Sequence, residues 1–383
     1  MQLFAGAMLL YPHWYDPFGD RLCDWETACA ALEAEVRAWR EDRRGWVAAN
    51  MRLWKRRPLQ AVFGRERPMV FAEGQRAADR AARDGRRLMV WGMGEAPPGA
   101  VRVEDGFLRS RGLGAELVPP LSLVLDDLGI YYDPSRESRF ERLVAEAARG
   151  LAPDERERTE RLLERLIAAG LTKYNLSGPL PPLPEGRRRI LVPGQVEDDA
   201  SIRLGAVGTL RTNRALLEAV RAANPDAVIL WKPHPDTEAG LRPGAVPDAG
   251  RWADAILDRV GAAEALAAAD EVWTLTSTMG FEALLRGRRV VCLGQPFYAG
   301  WGLTEDRAGA PARRTARPDR IALAHAALIA YPRYHDPVTG RPCPAEAVVE
   351  RLATGRLPHP GRANRALAKV QGVFASQAWL WRR

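Results

Sequence analysis

Side chains able to bind or transfer an anionic group recur in the second half of the chain, each group directly after a predicted strand. An acidic run starts at Gln195, a His-Pro turn at Lys232, a hydroxyl cluster at Thr276 and a glycine-flanked aromatic loop at Gly294. The carboxyl ends of parallel strands meet at one edge of a sheet. These groups are therefore expected to form one ligand site.

The turn Lys232-Pro-His234-Pro follows a strand of Val, Ile, Leu and Trp. A histidine held between two prolines has a fixed backbone and an exposed ring. That ring can donate to a phosphate oxygen, while Lys232 adds positive charge. The alternative is a turn histidine without function. The strand-end position favours a ligand contact, because open α/β sheets bind their ligands there.

Three hydroxyl residues from Thr276 to Thr278 stand between a predicted strand and a predicted helix, and Gly280 follows them. Hydroxyls and free amides at a helix N-terminus bind anions, so Ser277 and Thr278 are the predicted phosphate contacts. An ordinary N-cap would need only one hydroxyl, and both roles can hold together. Glu282 lies one turn into the helix, where it could stabilise the helix dipole.

Acidic residues after two strands are candidates for catalysis. Glu197, Asp198 and Asp199 follow the first strand of the second half. Adjacent acids on a loop are usually solvated, but the strand-end position favours a catalytic acid. Glu104 follows a strand of the first half and is predicted to be a general base for a hydroxyl group rather than a structural residue. Its neighbour Asp105 is predicted to be a turn acid.

Aromatic and cationic side chains complete the candidate set. Tyr298 and Trp301, with Phe297, lie in the glycine-flanked loop. They either stack on a base or sugar or form an aromatic plug between domains. Arg109 and Arg111 place two cations beside the acidic motif of the first half.

Strand and helix patterns alternate along the chain, which predicts an α/β fold with parallel sheets. Residues 24–57 are helical in pattern, and two helices split at residues 150–153 cover 137–170. A proline-rich linker at 177–184 separates two series of strands. The predicted strands are 68–71, 88–91, 101–103, 190–192, 227–231, 271–275 and 289–293.

The 383 residues suffice for two packed domains. A net charge of +8 permits nucleic acid, a membrane face or anionic substrates as partners. Nucleic acid is not expected, because no aromatic-basic RNA-binding pattern is present. Four scattered cysteines without a CxxC pair indicate reduced thiols in a cytosolic protein. No zinc-ligand spacing and no membrane-spanning apolar run are present, so neither a metal nor a spanning helix is expected.

Two segments near the ends of the chain repeat one pattern. Residues 11–23 and 331–343 share six of thirteen positions at an offset of 320, including Tyr-Pro, Asp-Pro, Arg and Cys. A second match relates residues 53–56 to 380–383. Chance is an alternative, because Tyr-Pro and Asp-Pro are common turn dipeptides. The order of the two matches favours a repeated module end instead, with 1–53 resembling the tail of a preceding module.

These motifs resemble the retaining β-Kdo transferase modules of capsule synthesis, the KpsC family. The most distinctive match is Gln-Pro-Phe-Tyr-Ala-Gly-Trp-Gly-Leu-Thr at 295–304. The resemblance covers about residues 54–340 and implies the GT-B fold, two Rossmann-like domains facing across a cleft. It divides the chain into a helical linker (1–53), an acceptor-side domain (54–178), a donor domain (179–320) and a helical tail crossing back (321–383).

The resemblance also implies roles for individual residues. Asp199, the Asp before Ala-Ser, matches the family's nucleophile, and Gln195 belongs to the same donor motif. His234 would meet the phosphate of the leaving nucleotide, and Glu282 would hold the ribose hydroxyls. An arginine, either Arg109 or Arg111, would meet the Kdo carboxylate.

The implied activity is transfer of Kdo from CMP-β-Kdo to a phospholipid-linked, Kdo-bearing acceptor in capsule linker synthesis. The reaction would proceed by double displacement, without a cofactor or metal. Other expected partners are the cytoplasmic membrane surface and capsule assembly proteins. Tryptophans beside cations at 54–57 and 379–383 suit a membrane interface. Packing within the fold is the preferred interpretation for 54–57, and both interpretations stay open for 379–383. The expected location is cytoplasmic, peripheral at the inner membrane. Two alternatives remain: another CMP- or UDP-sugar transferase of this fold, and a degenerate module that binds glycolipid without catalysis.

Overall fold

The computed structural model describes residues 2–113, 118–184, 187–240 and 242–358, which form two compact units. The first unit comprises the described parts of 1–109, 120–127 and 332–358. The second comprises the described parts of 110–119 and 128–331. Within these ranges, no helix combines the length and apolar character that a membrane span requires. The segment 379–383 lies outside the described residues.

Strands and helices alternate in both units. Residues 2–127 contain α1 (Gln2–Ala5), β1 (Trp14–Asp16), β2 (Arg21–Cys23), α2 (Trp25–Asp42), β3 (Trp46–Ala49), α3 (Leu53–Phe63), β4 (Val70–Ala72), α4 (Gln75–Asp84), β5 (Arg87–Trp91), β6 (Val101–Asp105) and β7 (Ser122–Asp126). A short π-helix, Gly6–Leu10, follows α1.

Residues 128–331 hold the elements of the second unit. They are α5 (Arg139–Ala147), α6 (Pro153–Ala168), β8 (Arg189–Pro193), α7 (Ala200–Gly205), α8 (Asn213–Ala223), β9 (Val228–Lys232), α9 (Pro235–Glu238), β10 (Ala255–Ile256), α10 (Ala262–Ala267), β11 (Glu271–Thr274), α11 (Thr278–Leu285), β12 (Arg289–Cys292), β13 (Glu305–Asp306) and α12 (Arg320–His325). A 3-10 turn, Ala249–Arg251, and a π-helix, Ala326–Ala330, complete them. The chain then forms β14 (Pro332–Asp336), β15 (Arg341–Cys343) and α13 (Ala345–Thr354).

Each unit is built on its own sheet. The first has seven strands in the order β15-β14-β7-β6-β5-β3-β4. Strands β3 to β6 pair in parallel, whereas β7, β14 and β15 pair antiparallel. The second has six strands in the order β10-β9-β8-β11-β12-β13, all paired in parallel. The predicted α/β class with two Rossmann-like halves is therefore confirmed.

The helical pattern predicted over 24–57 is correct for 25–42 and 53–57 but wrong for 46–49, which form a strand. Helix α2 ends at Asp42, Gly45 turns the chain with a φ of +72°, and β3 follows. Every residue of β3 is buried, and the strand pairs with both β4 and β5. A strand inside a parallel sheet is covered on both faces and shows no polar alternation. Its short Ala-containing run therefore looks helical in the sequence.

The two units divide the chain differently from the predicted domains. Residues 1–53 are not a separate linker, because β3 lies inside the first sheet. Helices α5 and α6 belong to the second unit rather than the first. Residues 332–358 return to the first unit, where β14 pairs with β7 through Pro332, Arg333 and Tyr334.

The repeated sequence pattern corresponds to a repeated hairpin. Strands β1 and β2 pair Trp14 with Cys23, and β14 and β15 pair Tyr334 with Cys343 in the same register at an offset of 320. A π-helix precedes both hairpins, and a helix follows both. Their surroundings differ, because Tyr11 is 82% exposed whereas its counterpart Tyr331 is fully buried. The repeat is thus structural rather than a coincidence of turn dipeptides.

An aromatic cluster forms part of the core of the second unit. The ring of Phe297 lies edge-on to Tyr131 and Phe140, with centroids 5.4 and 5.3 Å away, and to Tyr298 at 5.0 Å. Tyr298 is fully buried, and its hydroxyl donates to the Ser277 carbonyl at 2.6 Å. Gly280 packs directly against the Tyr298 phenol, leaving no room for a Cβ atom.

We expect Gly280→Ala to destabilise the protein by about 1–3 kcal/mol through overpacking, partly offset by about 1 kcal/mol of helix propensity. Gly250→Ala is the matched control, because no heavy atom lies within 4 Å of the added Cβ, and its effect should stay within about 0.5 kcal/mol. Urea unfolding of both variants measures the difference. Equal midpoints would show that Tyr298 can move aside.

Candidate functional site

The predicted motifs of the second half lie at one edge of the six-stranded sheet. Strand β8 lies between β9 and β11, and the chain builds β9 on one side before returning to β11 on the other. Loops that leave β8 and β11 therefore run in opposite directions. The crevice outside such a switch point is where open α/β sheets bind ligands.

Gln195 joins the two loops at this switch point. Its side-chain Nε2 donates to Thr276 Oγ1 at 2.8 Å, and its Oε1 accepts from the Thr276 backbone N–H at 3.0 Å. Both residues are buried. Gln195, which was predicted to contact the sugar donor, thus holds the two loops together. Both polar atoms of its side-chain amide are used in these hydrogen bonds.

The three adjacent acids have different surroundings. Glu197 accepts from the backbone N–H of Asn213 at 2.7 Å, at the start of α8. Asp198 is exposed and forms an ion pair with Arg242 at 2.6 Å. Asp199 is exposed and caps α7, with Oδ2 accepting from the N–H and the hydroxyl of Ser201. A solvent-accessible carboxylate at a strand end can reach a ligand.

His234 is a neutral hydrogen-bond donor. Its Nδ1 accepts from the Asp236 N–H at 3.1 Å, so the ring proton of the neutral form sits on Nε2. The pKa of His234 is lowered to about 4, chiefly by burial and also by the positive charges of Lys173, Arg242 and Lys232, while Asp199 opposes them. The ring therefore presents an N–H at neutral pH.

Lys232 has surroundings that favour a structural role over the predicted phosphate contact. The residue is 4% exposed at the end of β9. Burial lowers the pKa of Lys232, and the carboxylates of Glu238, Asp258 and Glu264 raise it. The ammonium is thus balanced by three acids of the same unit.

The hydroxyl cluster caps α11. Ser277 is the N-cap, and its Oγ accepts from the Met279 N–H at 3.3 Å. Thr278 begins the helix, and both residues are half-buried. Capping is thereby established for Ser277. A phosphate contact by Ser277 or Thr278 stays a prediction.

Glu282 is buried, and its Oε1 accepts from the Lys173 backbone N–H at 2.7 Å. Burial raises the pKa of Glu282, and the neighbouring Arg286 and Lys173 lower it. This contact joins α11 to the segment after α6 and gives Glu282 an anchoring role that neither sequence interpretation contained.

The aromatic loop packs into its own unit. Trp301 is 2% exposed, and its Nε1 donates to the Phe297 carbonyl at 2.9 Å. Arg314 donates to the carbonyls of Pro296 and Ala299 and forms an ion pair with Glu141. The structure therefore favours packing over base stacking for Tyr298 and Trp301.

The acidic motif of the first unit, Glu104 and Asp105, forms the carboxyl end of β6. Glu104 is half-buried, and its Oε1 accepts from the Asp105 N–H at 3.0 Å. Asp105, interpreted above as a turn acid, forms an ion pair with Arg109 at 2.6 Å, and the Arg109 side chain is 2% exposed. Arg111 is exposed and belongs to the second unit, so the two candidate cations lie in different units.

Lys55 is a titratable residue of the first unit that the sequence did not single out. It lies in α3 with its Nζ over the ring of Trp91, which ends β5. Burial lowers the pKa of Lys55 to about 8, while Glu104 and Asp105 raise it. Its only sequence signal is the basic segment 54–57, which ends the region predicted to be helical.

Comparison with known proteins agrees with this architecture. The capsule polysaccharide biosynthesis protein family model, Capsule_synth, matches residues 99–177 and 180–334. The capsule polysaccharide modification protein LipA of Neisseria meningitidis is 38% identical over 369 residues, covering 92% of this chain and 51% of LipA. The lipopolysaccharide-processing protein LpsZ of Rhizobium meliloti is 44% identical over 238 residues, covering 61% of this chain and 54% of LpsZ. The chain spans about half the length of these curated relatives.

Two solved structures have the same fold. The β-Kdo 2,7 transferase of Thermosulfurimonas dismutans KpsC aligns with a TM-score of 0.68 and 33% identity, covering 81% of this chain and 99% of that one. The β-Kdo 2,4 transferase of the same KpsC aligns with a TM-score of 0.69 and 31% identity, covering 80% and 97%. The chain therefore belongs to the capsule polysaccharide biosynthesis family, as a KpsC-like module of GT-B type.

Proposed function

We propose that this chain is a retaining glycosyltransferase that moves Kdo from CMP-β-Kdo to a Kdo-bearing glycolipid acceptor. The observation that carries the proposal is a pair of groups at the switch point: the exposed carboxylate of Asp199, and the neutral imidazole N–H of His234, whose pKa the Asp199 charge raises. A retaining transfer needs a nucleophile and a donor to the leaving phosphate. Family membership makes a nucleotide-sugar donor the substrate of choice.

The first step forms a covalent intermediate. A carboxylate oxygen of Asp199 attacks carbon 2 of Kdo, and the bond from carbon 2 to the phosphate oxygen breaks. The electron pair leaves with CMP, whose phosphate accepts a hydrogen bond from His234 Nε2. This step inverts the configuration at carbon 2.

The second step restores the configuration. The acceptor hydroxyl attacks carbon 2, its proton passes to a general base, and the bond to Asp199 breaks to regenerate the carboxylate. Two inversions give net retention. Glu104 is the proposed base, because a carboxylate can take the hydroxyl proton as the bond forms.

We also propose that the chain works at the cytoplasmic face of the inner membrane, together with other proteins of capsule assembly. A phospholipid-linked acceptor would be held at that surface. The net charge of +8 is compatible with attraction to anionic lipids.

Asp199→Asn should abolish the covalent intermediate, because an amide is a far poorer nucleophile than a carboxylate. Asparagine caps helices as well as aspartate does, so α7 should be retained. Intact-protein mass spectrometry after incubation with freshly generated CMP-Kdo should show a one-Kdo mass gain in the wild type only. Asp198→Asn is the matched control and should keep the adduct. An adduct in Asp199→Asn would exclude this residue as the nucleophile.

Glu104→Gln should form the adduct at the wild-type rate but discharge it to acceptor about 10²-fold more slowly, because only the second step needs a base. Glu95→Gln, at an exposed position, should leave both steps unchanged. Single-turnover mass spectrometry with and without Kdo-glycolipid separates the two rates. Equal discharge by Glu104→Gln would remove Glu104 from the mechanism.

His234 should remain neutral from about pH 5 upward, because burial lowers its pKa to about 4. The pH profile of kcat/KM should therefore lack a histidine step near 6.5, the unperturbed value. His234→Asn should lower kcat/KM by about 10²-fold, the cost of removing a donor to developing negative charge. His13→Asn, at an exposed site, is the control. A step near 6.5 that disappears in His234→Asn would contradict the neutral-donor role.

A further inference from the structure

A tight turn after α6 lies beside His234 and has no part in the mechanism above. The rings of Tyr174 and His234 are 6.2 Å apart between centroids and nearly perpendicular, at 84°. The Nζ of Lys173 lies 5.5 Å from the centroid of the Tyr174 ring. Both side chains are half-buried. The aromatic ring of Tyr174 therefore borders the imidazole at the switch point, and the cation of Lys173 lies over that aromatic ring.

The turn is held by reciprocal hydrogen bonds. The Thr172 N–H donates to Asn175 Oδ1 at 2.8 Å, and the Asn175 N–H donates to Thr172 Oγ1 at 3.3 Å. Asn175 has a φ of +52°, which asparagine tolerates better than most residues. Its Nδ2 also donates to the Ser110 carbonyl at 2.8 Å. The backbone of the turn is thus fixed from both ends.

Two further contacts hold the Lys173 backbone. The Ser110 N–H donates to its carbonyl at 3.2 Å, and its own N–H donates to the buried carboxylate of Glu282 at 2.7 Å. A buried carboxylate is costly unless it accepts hydrogen bonds, so such a contact fixes geometry. Because α11 carries Glu282, the turn is tied to the helix that Ser277 caps.

The charge of Lys173 reaches the imidazole. After burial, Lys173 has the largest effect lowering the pKa of His234, ahead of Arg242. Lys232, the cation predicted from the sequence, has a smaller effect and is balanced by acids. Among the cations that lower the pKa of His234, the largest effect therefore belongs to Lys173, which lies outside the His-Pro motif.

We propose that Lys173 binds an anionic oxygen group of the nucleotide-sugar donor, and that Tyr174 is a positioning residue that holds the His234 ring. The proposal rests on the proposed function. The anionic group is either the phosphate or the sugar carboxylate of the donor. An ammonium over the ring that borders the His234 imidazole would give such a group a second donor besides the imidazole N–H. Lys173 replaces Lys232 in that role.

The test is calorimetric binding of CMP and of free Kdo to the full chain. Lys173→Met should weaken CMP binding at least about 10-fold if the cation meets the phosphate, since hydrogen bonds to charged groups contribute about 1.5–3 kcal/mol. If it meets the carboxylate, Kdo binding should weaken instead. Lys173→Arg should stay within about 3-fold of the wild type. Unchanged affinity for both ligands in Lys173→Met would overturn the proposal.

A second measurement does not depend on any ligand. The pKa of His234, followed by NMR of the ring carbons, should rise in Lys173→Met because a positive charge is removed. Tyr174→Phe should keep the wild-type value and affinity, whereas Tyr174→Ala should change both. An unchanged His234 pKa in Lys173→Met would overturn the placement of the cation. If the wild type binds neither CMP nor Kdo, the proposed function fails and this inference falls with it, even where the His234 pKa responds.

Discussion

The paired hydrogen bonds between Gln195 and Thr276 hold the candidate site of the second unit together. They join the carboxyl ends of β8 and β11, the two strands from which the loops diverge. Inside a protein, an unpaired amide costs about 1–3 kcal/mol, so the two residues depend on each other. Asp199 lies in the segment that follows β8, and Ser277 lies in the segment that follows β11. The geometry of the site thus rests on one buried polar contact.

Other charged side chains of the same unit make buried contacts that hold the segments around the site. Glu282 holds the Lys173 backbone, and Arg314 with Glu141 holds the aromatic loop. These residues support the candidate site, because removing one partner of a buried charged contact leaves the other group uncompensated. They leave the exposed Asp199 and the neutral His234 as the proposed nucleophile and the proposed hydrogen-bond donor. Several polar side chains near the strand ends therefore have structural roles and are not candidates for catalysis.

The repeated hairpin shows that one sequence pattern can form the same hairpin in two different surroundings. Both copies keep the same cross-strand register, from Trp14–Cys23 to Tyr334–Cys343. Only the second joins the large sheet, through the pairing of β14 with β7. Register follows from the turn and the strand pattern, whereas burial depends on what the rest of the chain supplies.

The sequence by itself determined the α/β class, most strand positions and the motifs at the strand ends, since apolar periodicity and proline or glycine breaks are local signals. It also singled out Asp199 and His234 as candidates, because both stand in segments that follow strands. Only the tertiary structure decided that β3 is a strand, that Tyr298 is buried and that the turn carrying Lys173 and Tyr174 lies beside His234. The contact that positions Lys173 joins residues 109 positions apart. Contacts of that separation arise from the packing of whole elements, and the local pattern at either end does not encode them.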